Sequence, residues 1–242
     1  MASEMGKGEG PGGGKGRDRG VFGDLPLRER KKLRTRRALV ETALELFSAK
    51  GFAATTLDEL VEAVEVSKRT FFRTFASKED VALAPERELW RAYTDDIGQR
   101  PFGEGQPLLT VFEQSLYAAV AGMEEDWERR FLTSRALADA TPALNAHSLR
   151  HCAEITDEVI ALTVAALPTD PAPLRVRLLL ELMLSAWRGA LKEWSTPGGD
   201  HDRGALVGHM DAAFAVIPEV LELAAAAVPS AGRRHGYGIL AP

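Results

Sequence analysis

Residues 56–75, TLDELVEAVEVSKRTFFRTF, contain the signals that decide the fold. Thr56 opens a Thr-x-x-Glu capping box, which predicts the start of a short helix. Ser67 is a suitable N-cap for a second helix. On that second helix Phe71 and Phe75 are four residues apart, so they share a face that packs into a core. Two short helices joined by about three residues predict a helix-turn-helix.

The second of these helices places its cations away from its aromatic core face. Lys68 and Arg69 lie at its N-terminus, where positive charge opposes the helix dipole. Stability alone does not favour that arrangement, but a neighbouring phosphate would. The pattern therefore indicates a surface that meets nucleic acid, and a merely solvated basic face is the alternative interpretation.

The flanking sequence predicts a helix on either side of this pair. Upstream, an apolar stripe predicts a long helix that begins near Leu27 and ends at the Lys50-Gly51 stop signal. The members of the stripe are Leu39, Ala43, Leu46 and Phe47. Downstream, Ser77 opens a weaker capping box with Asp80 and predicts a fourth helix. Pro85 lies inside that fourth segment, so we expect the helix to bend or restart there.

Charge is unevenly distributed along the chain, whose net charge is −5. Residues 1–82 hold 16 Lys/Arg and 13 Asp/Glu, whereas residues 83–242 hold 14 and 22. Seven of the ten residues in Arg28–Arg37 are cationic. Such asymmetry suggests two parts with different partners, one of them acidic.

Composition places the chain among globular proteins and predicts a cytoplasmic location. It is 45% hydrophobic and 27% charged, and it has one cysteine, Cys152, so no disulfide can form within the chain. No secretory signal is recognised at the N-terminus, and no apolar run approaches the roughly 18 residues that span a bilayer. We therefore expect no membrane partner.

The rest of the chain also follows helical patterns, and the expected fold class is all-α. We predict a disordered tail over 1–26, a helix-turn-helix domain over 27–76, a larger helical domain over 77–228 and a C-terminal tail over 229–242. The last helix is predicted from about Arg203 to Val228. It carries an apolar stripe of Leu206, Met210, Ala213, Phe214, Ile217, Leu221 and Ala224.

The stretch Thr35–Val81 resembles the DNA-binding domain of the TetR family of bacterial transcriptional regulators. The resemblance covers about 47 of the 242 residues and agrees in element order and spacing. The positions that carry it are Ala43, Leu46-Phe47, Gly51-Phe52, Thr55-Thr56, Val66-Ser67, Thr70, Phe75 and Lys78-Glu79. It implies a homodimer on an operator in double-stranded DNA, with the last two helices forming the dimer interface and a small-molecule effector bound by the larger domain.

The resemblance also implies roles for individual residues. Lys68, Arg69 and Arg73 would approach bases in the major groove. Thr70 and Thr74 would meet phosphate or base edges, and Phe72 would make an apolar contact. Phosphates would be held by Thr56 and Lys78, and the basic Arg28–Arg37 stretch would follow the backbone or the minor groove.

Three positions depart from the family pattern. The family usually has Ala-Gly where this chain has Val64-Glu65, and a glutamate in a left-handed turn would cost about 1 kcal/mol. Phe72 stands where a tyrosine is common, and Thr74 where a histidine or tyrosine is common. These changes leave the operator sequence undetermined.

Candidate effector contacts come from the aromatic and charged residues of the larger domain. Aromatic residues concentrate in its middle helices, and apolar pockets with a few polar groups suit small ligands. The candidates are Tyr93, Phe112, Trp127, Phe131, Arg135 and Glu181.

A metal site is the weaker interpretation of His147 and His151, which are four residues apart on a predicted helix. The His-Glu-x-x-His pattern is absent and no third ligand is evident, so we expect no metal, no cofactor and no enzymatic activity. The predicted function is a ligand-responsive DNA-binding regulator, a repressor that leaves a palindromic operator when a small, largely apolar molecule binds. Control by a protein partner without a small ligand is one alternative, and a helical metal-dependent enzyme using the two histidines is a weaker one.

Overall fold

The structure, a computed structural model, describes residues 26–102, 105–167 and 172–225. Within those ranges the chain is helical and contains no strand, so the all-α prediction is confirmed. The predicted tails, 1–26 and 229–242, fall outside the described residues except for Pro26. The first five helices are α1 Leu27–Lys50, α2 Leu57–Ala63, α3 Lys68–Thr74, α4 Lys78–Ala82 and α5 Ala84–Gln99. The others are α6 Leu108–Ala121, α7 Trp127–Ala140, α8 Pro142–Ala166, α9 Pro173–Trp194, α10 Arg203–Ala215 and α11 Ile217–Ala225.

The chain forms two compact units that divide between Val81 and Ala82, near the end of α4. The predicted domain boundary, between residues 76 and 77, falls at the start of the same helix. In the first unit, α2 packs on α1 and on α3. Its buried core includes Leu39, Ala43, Leu44, Phe47, Phe52, Leu60, Phe71 and Phe75.

The second unit is built around α9, which packs against α6, α8, α10 and α11. This helix is amphipathic, and its buried side includes Leu180, Met183, Trp187 and Trp194. Phe131 from α7 packs against the two tryptophans, with ring centroids 6.5 Å from Trp187 and 6.2 Å from Trp194. The aromatic residues of the middle helices therefore fill the interior of this unit.

The fourth segment divides into α4 and α5 next to Pro85, as the sequence predicted. Helix α4 ends at Ala82, Leu83 is the N-cap of α5, and Pro85 lies in the first turn of α5. That position suits proline because the first N–H groups of a helix have no partner within the helix.

The prediction of one last helix from Arg203 to about Val228 was wrong within the described residues. Helix α10 ends at Ala215, and α11 begins at Ile217. Pro218 explains the division, because a proline cannot donate the helical hydrogen bond and clashes with the carbonyl four residues earlier.

The apolar stripe on this segment faces the core of its own unit. Leu206, Met210, Phe214 and Ile217 are buried there, whereas Leu221 is 58% exposed. By length and composition alone, Arg203–Leu223 qualifies as one candidate membrane span in the described part of the chain, contrary to the expectation that no run would. This is weak support for a span, since core helices of soluble proteins meet the same criterion.

Candidate functional site

The N-terminus of α2 has the predicted capping box. The Thr56 hydroxyl accepts a hydrogen bond from the Glu59 backbone N–H at 3.2 Å, and the Glu59 carboxylate accepts one from the Thr56 N–H at 2.8 Å. Lys50 lies 2.8 Å from the same carboxylate. The Lys50 ammonium first, and then the Thr56 donors, lower the pKa of Glu59 to about 2. The cap therefore stays ionised at neutral pH and fixes where α2 starts.

The turn between α2 and α3 has the geometry that glycine usually provides. Glu65 has a φ of +56°, in the left-handed region. The Val66 N–H bonds the Val61 carbonyl at 2.9 Å, and the Glu65 N–H bonds the Glu62 carbonyl at 3.0 Å. These two bonds are those of a Schellman motif, in which the residue at the Glu65 position is left-handed. The departure from the family pattern therefore leaves the turn unchanged and puts a side chain in a strained conformation.

Helix α3 presents its predicted DNA contacts on a surface opposite its core residues. Ser67 caps the helix by accepting from the Thr70 N–H at 3.1 Å, and Phe71 is fully buried. Phe72 is 55% exposed, so it is available for an apolar contact. Lys68, Arg69 and Arg73 are also exposed, while Thr70 and Thr74 are half-buried. The structure brings these six residues together on one short helix, and their roles on DNA remain predictions.

A carboxylate of α2, Asp58, lies next to one of the cations of α3. Lys68, the first residue of α3, has its ammonium 2.6 Å from the Asp58 carboxylate, and both side chains are more than half exposed. Arg69 and Arg73 have no ion pair within the described residues. At the start of the helix, one of the two expected base-contacting cations is therefore paired within the protein and the other is not.

Lys78 occupies a position that the sequence alone did not reveal. Its ammonium donates hydrogen bonds to the Phe52 carbonyl at 2.7 Å and to the Thr55 carbonyl at 2.8 Å. It also lies 4.3 Å from the centroid of the Phe52 ring. Lys78 thus fastens the start of α4 to the loop between α1 and α2. An ammonium has three donors, so one donor is left for the predicted phosphate contact, which stays a prediction.

In the second unit, a cleft opens between α5, α8 and α9. It holds about 200 Å³ of space between atoms and is too tight for more than about one ordered water. Tyr93, one of the candidate effector contacts, lines it, and its contact with an effector stays a prediction. The other lining residues are Trp90, Cys152, Ile155, Thr156, Val159, Leu180 and Leu184. Four of them, Ile155, Val159, Leu180 and Leu184, are aliphatic residues whose helical spacing is that of an ordinary core, so no sequence pattern distinguished these four.

The other residues proposed for effector contact lie elsewhere in this unit. Phe112, Trp127 and Phe131 are buried in the core, and the last two stack with centroids 4.6 Å apart. Arg135 lies 3.9 Å from Glu86 and 3.6 Å from Asp139. Glu181 is half-buried on α9. None of the five lines the cleft, and their contact with an effector stays a prediction.

The first residues of the second unit are held by side chains of α7 and α8. The Ser134 hydroxyl donates to the Ala82 carbonyl at 2.6 Å, and the Trp127 indole N–H donates to the Pro85 carbonyl at 3.0 Å. Glu86 is 8% exposed, and the Ser148 hydroxyl lies 3.0 Å from both its carboxylate oxygens. The chain segment that leaves the first unit is therefore fixed at three successive points.

The two histidines of α8 do not join a metal-binding group among the described residues. No cluster of three or more His, Cys, Asp or Glu side chains suited to a metal occurs in the described ranges. His151 Nδ1 is 3.8 Å from a carboxylate oxygen of Glu154. Burial, followed by the charge of Arg87, lowers the pKa of His151.

The comparisons with known proteins agree with the helix-turn-helix geometry. The family model described as "Bacterial regulatory proteins, tetR family" matches residues 39–84. The HTH-type transcriptional regulator TcmR of Streptomyces glaucescens is 36% identical over 175 residues, which are 69% of this chain and 76% of that protein. The chain belongs to the TetR family. It is accordingly a DNA-binding transcriptional regulator, and no enzyme family is indicated.

Two further similarities of this TetR-family chain are more distant or shorter. The regulator YerO of Bacillus subtilis, described as uncharacterized, is 41% identical over 46 residues, or 19% of this chain and 16% of that protein. A crystal structure of a TetR-family transcriptional regulator from Mesorhizobium loti aligns with 78% of this chain and 98% of its own at 20% identity, with a TM-score of 0.46. The similarity to TcmR, which spans most of both proteins, carries the assignment.

Proposed function

We propose that this TetR-family regulator is a repressor that binds a palindromic operator as a homodimer and leaves it when a small, largely apolar molecule enters the cleft. The bases of each half-site are approached by Arg69, Arg73 and Lys68, the exposed cations of α3. The cationic half of α1, Arg28–Arg37, follows the phosphate backbone or the minor groove. Such a protein acts in the bacterial cytoplasm, where operator DNA is found.

The observation that carries the proposal is that α5 and α8 contribute both to the cleft and to the contact that holds the start of α5. Trp90 of α5 and Cys152 of α8 line the cleft. Glu86 of α5 and Ser148 of α8 form the hydrogen-bonded contact. The cleft is too tight for a ligand as it stands, so a ligand has to move one of these helices relative to the other. That movement changes the geometry of the Ser148–Glu86 hydrogen bonds, one helical turn from the cleft residues. Effector binding and DNA binding are then reciprocally coupled.

The homodimer is supported by the exposed surfaces of α9 and α10. A Cβ atom added at Gly189 or Gly208 would meet no other atom within 4 Å. Glycine in a helix costs about 0.5–1 kcal/mol relative to alanine, and no close contact among the described residues accounts for these two. Around them lie exposed small residues, Ser185 on α9 and Ala212 on α10. Small side chains let helices of a second copy approach closely.

An analytical ultracentrifugation experiment tests the dimer. We expect a dimeric mass for the wild-type protein at micromolar concentration and a monomeric mass for Gly208→Arg. Ala153→Arg, on the exposed side of α8, is the matched control and should remain dimeric. Ala213 is less suitable for this test, because it packs against the core of its own unit. A monomeric wild-type protein would refute the dimer.

Operator binding with and without effector tests the switch. Footprinting on DNA that flanks the gene locates the operator, and fluorescence anisotropy then measures affinity. We expect Arg69→Ala to lose about 1–3 kcal/mol of binding free energy and to discriminate less among operator sequences. Wild-type binding equal to that of Arg69→Ala would reject the assignment of this residue.

A matched pair of variants connects the cleft to the response. Cys152→Phe fills the cleft, whereas Cys152→Ala leaves it open. We expect both variants to bind operator DNA, and only Cys152→Ala to be released by the effector that releases the wild type. If Cys152→Phe responds normally, the effector binds elsewhere. If no small molecule from cell extract releases the wild type but a protein does, control by a protein partner replaces this proposal.

A further inference from the structure

The side chains that line the cleft limit the chemistry of its ligand. None of the eight is charged: the set consists of aliphatic and aromatic residues with Tyr93, Thr156 and Cys152. An ion placed there would lose its hydration and would find no counterion among the lining side chains. Burial raises the pKa of the Cys152 thiol, so this cysteine is neutral as well. The lining therefore favours an uncharged ligand.

Tyr93 adds one specific polar requirement to this apolar lining. The residue is 1% exposed, and its hydroxyl has no hydrogen-bond partner among the described residues. Burial, and after it the charge of Asp96, raises the pKa of this phenol well above its usual value, so the group keeps its proton and remains a donor. A buried donor without an acceptor is unfavourable, and a ligand oxygen would relieve that cost.

Another polar group of the cleft, the Thr156 hydroxyl, is already used. The Thr156 hydroxyl donates to the Cys152 carbonyl at 2.8 Å. The rings of Trp90 and Tyr93 stand nearly perpendicular, 81° apart with centroids separated by 5.7 Å. Rings in this arrangement offer one face and one edge, to which another aromatic ring can pack. The cleft as it stands has room for about one ordered water, so any larger ligand enters only when the surrounding helices move apart.

We infer that the cleft takes an uncharged, mostly apolar compound whose carbonyl or ether oxygen accepts a hydrogen bond from Tyr93. This inference rests on the proposed function, since it names the chemical class of the effector. It also makes Tyr93 the residue that distinguishes such a compound from a hydrocarbon of the same shape. Trp90 and the aliphatic residues of α8 and α9 supply affinity that depends on shape alone.

Three probes of nearly equal shape test the inference by isothermal titration calorimetry. Acetophenone has a ring and a neutral acceptor, ethylbenzene lacks the acceptor, and benzoate carries a charge. We expect wild-type protein to bind acetophenone about 2–10 times more tightly than ethylbenzene, the range that one net hydrogen bond provides. Benzoate should bind at least about tenfold more weakly than acetophenone. The filled variant Cys152→Phe should bind none of them.

Tyr93→Phe is the decisive variant because it removes only the hydroxyl. It should bind ethylbenzene at least as well as wild type does and lose the preference for acetophenone. The inference is overturned if wild type does not distinguish the ketone from the hydrocarbon, if Tyr93→Phe still does, if benzoate binds as tightly, or if no probe binds.

Operator release, measured in parallel by anisotropy, separates this inference from the proposed function. The probes could bind with the expected dependence on Tyr93 and yet leave the operator complex intact. That result would uphold the ligand class and would count against the cleft as the effector site. All three probes could instead release the operator equally, in wild type and in Tyr93→Phe alike. That result would uphold a ligand-responsive regulator and would overturn the ligand class.

Discussion

Replacing Glu65 by glycine should stabilise the helix-turn-helix. Glu65 is the one residue between α2 and α3 with a positive φ, at +56°. Its own N–H and that of Val66 make the two bonds that end α2, so the turn cannot relax without losing them. Glycine adopts this conformation without steric cost and would keep both bonds.

The magnitude follows from two opposing contributions. A residue with a Cβ pays about 1–2 kcal/mol in the left-handed region, and glycine avoids that cost. Glycine also loses about 0.4–1 kcal/mol because the unfolded chain becomes more flexible. The net expectation for Glu65→Gly is a gain of about 0.5–1 kcal/mol in the free energy of local unfolding. Glu65 is exposed, so no packing contribution offsets this gain.

Hydrogen exchange read by mass spectrometry measures this gain in the intact chain. Peptides that cover α2 and α3 report the local opening free energy directly, so unfolding of the second unit does not obscure the result. Slower exchange by about two- to fivefold is the expected result for Glu65→Gly. Glu65→Ala is the control, since it removes the same charge but keeps the Cβ, and it should leave exchange nearly unchanged.

The comparison of these two variants can refute the reasoning. Equal stabilisation by alanine and glycine would show that the carboxylate, and not the backbone, is unfavourable here. Faster exchange in Glu65→Gly would show that the left-handed turn is absent in solution. Both variants could also bind DNA more tightly than wild type. Such a gain would reflect only the loss of negative charge beside α3 and would not bear on the stability of the turn.

Three further substitutions probe the first unit. Lys78→Ala removes two charge-assisted hydrogen bonds and should cost about 2 kcal/mol of local stability. Hydrogen exchange in the loop between α1 and α2 measures this loss. An unchanged exchange rate would mean that Lys78 acts mainly on DNA. Asp58→Asn releases Lys68 from its ion pair. Operator affinity at low salt should therefore rise a few-fold, and its dependence on salt concentration should steepen. An unaltered salt dependence would show that Lys68 does not reach the DNA. Because the pKa of Glu59 is depressed to about 2, its ionised cap stabilises α2 above pH 4.5 and loses that effect as pH falls towards 2. The local stabilities of wild type and Glu59→Ala, measured by hydrogen exchange, should therefore converge over that interval. A constant difference between them would contradict the cap.

The helix-turn-helix could be predicted because its determinants are local. The caps at Thr56 and Ser67 and the glycine stop at Gly51 each depend on residues within one turn, and all three are found where the sequence placed them. Lys78 was harder, because the carbonyls that it binds lie 23 and 26 residues earlier in the chain. A sequence pattern shows that a cation is present but not which distant group it meets.

The larger domain shows the limit of helical periodicity. The stripe that includes Met210 and Phe214 was correctly identified as a packing face, but periodicity does not say whether the neighbour is the same chain or a second copy. Both residues are buried in their own unit. The exposed side, which contains Gly208, shows no apolar signal at all. Pro218 was visible in the sequence, and the helix break before it follows from proline chemistry alone.

The charge arrangement of the first unit suits a regulator that has to leave its operator. Lys68 is shared with Asp58, so Arg69 and Arg73 are the cations of α3 that carry no ion pair in the described chain. If these cations are the base contacts, as proposed, one half-site offers few of them, and the proposed dimer then depends on both half-sites being engaged together. An effector that changes the separation of the two α3 helices needs to supply only the coupling free energy typical of such switches, about 1–3 kcal/mol, to lower occupancy 5- to 150-fold. With Asp58 of α2 replaced, Lys68 would lose its ion pair within the protein, so a single unit would bind DNA more tightly and would be harder to release.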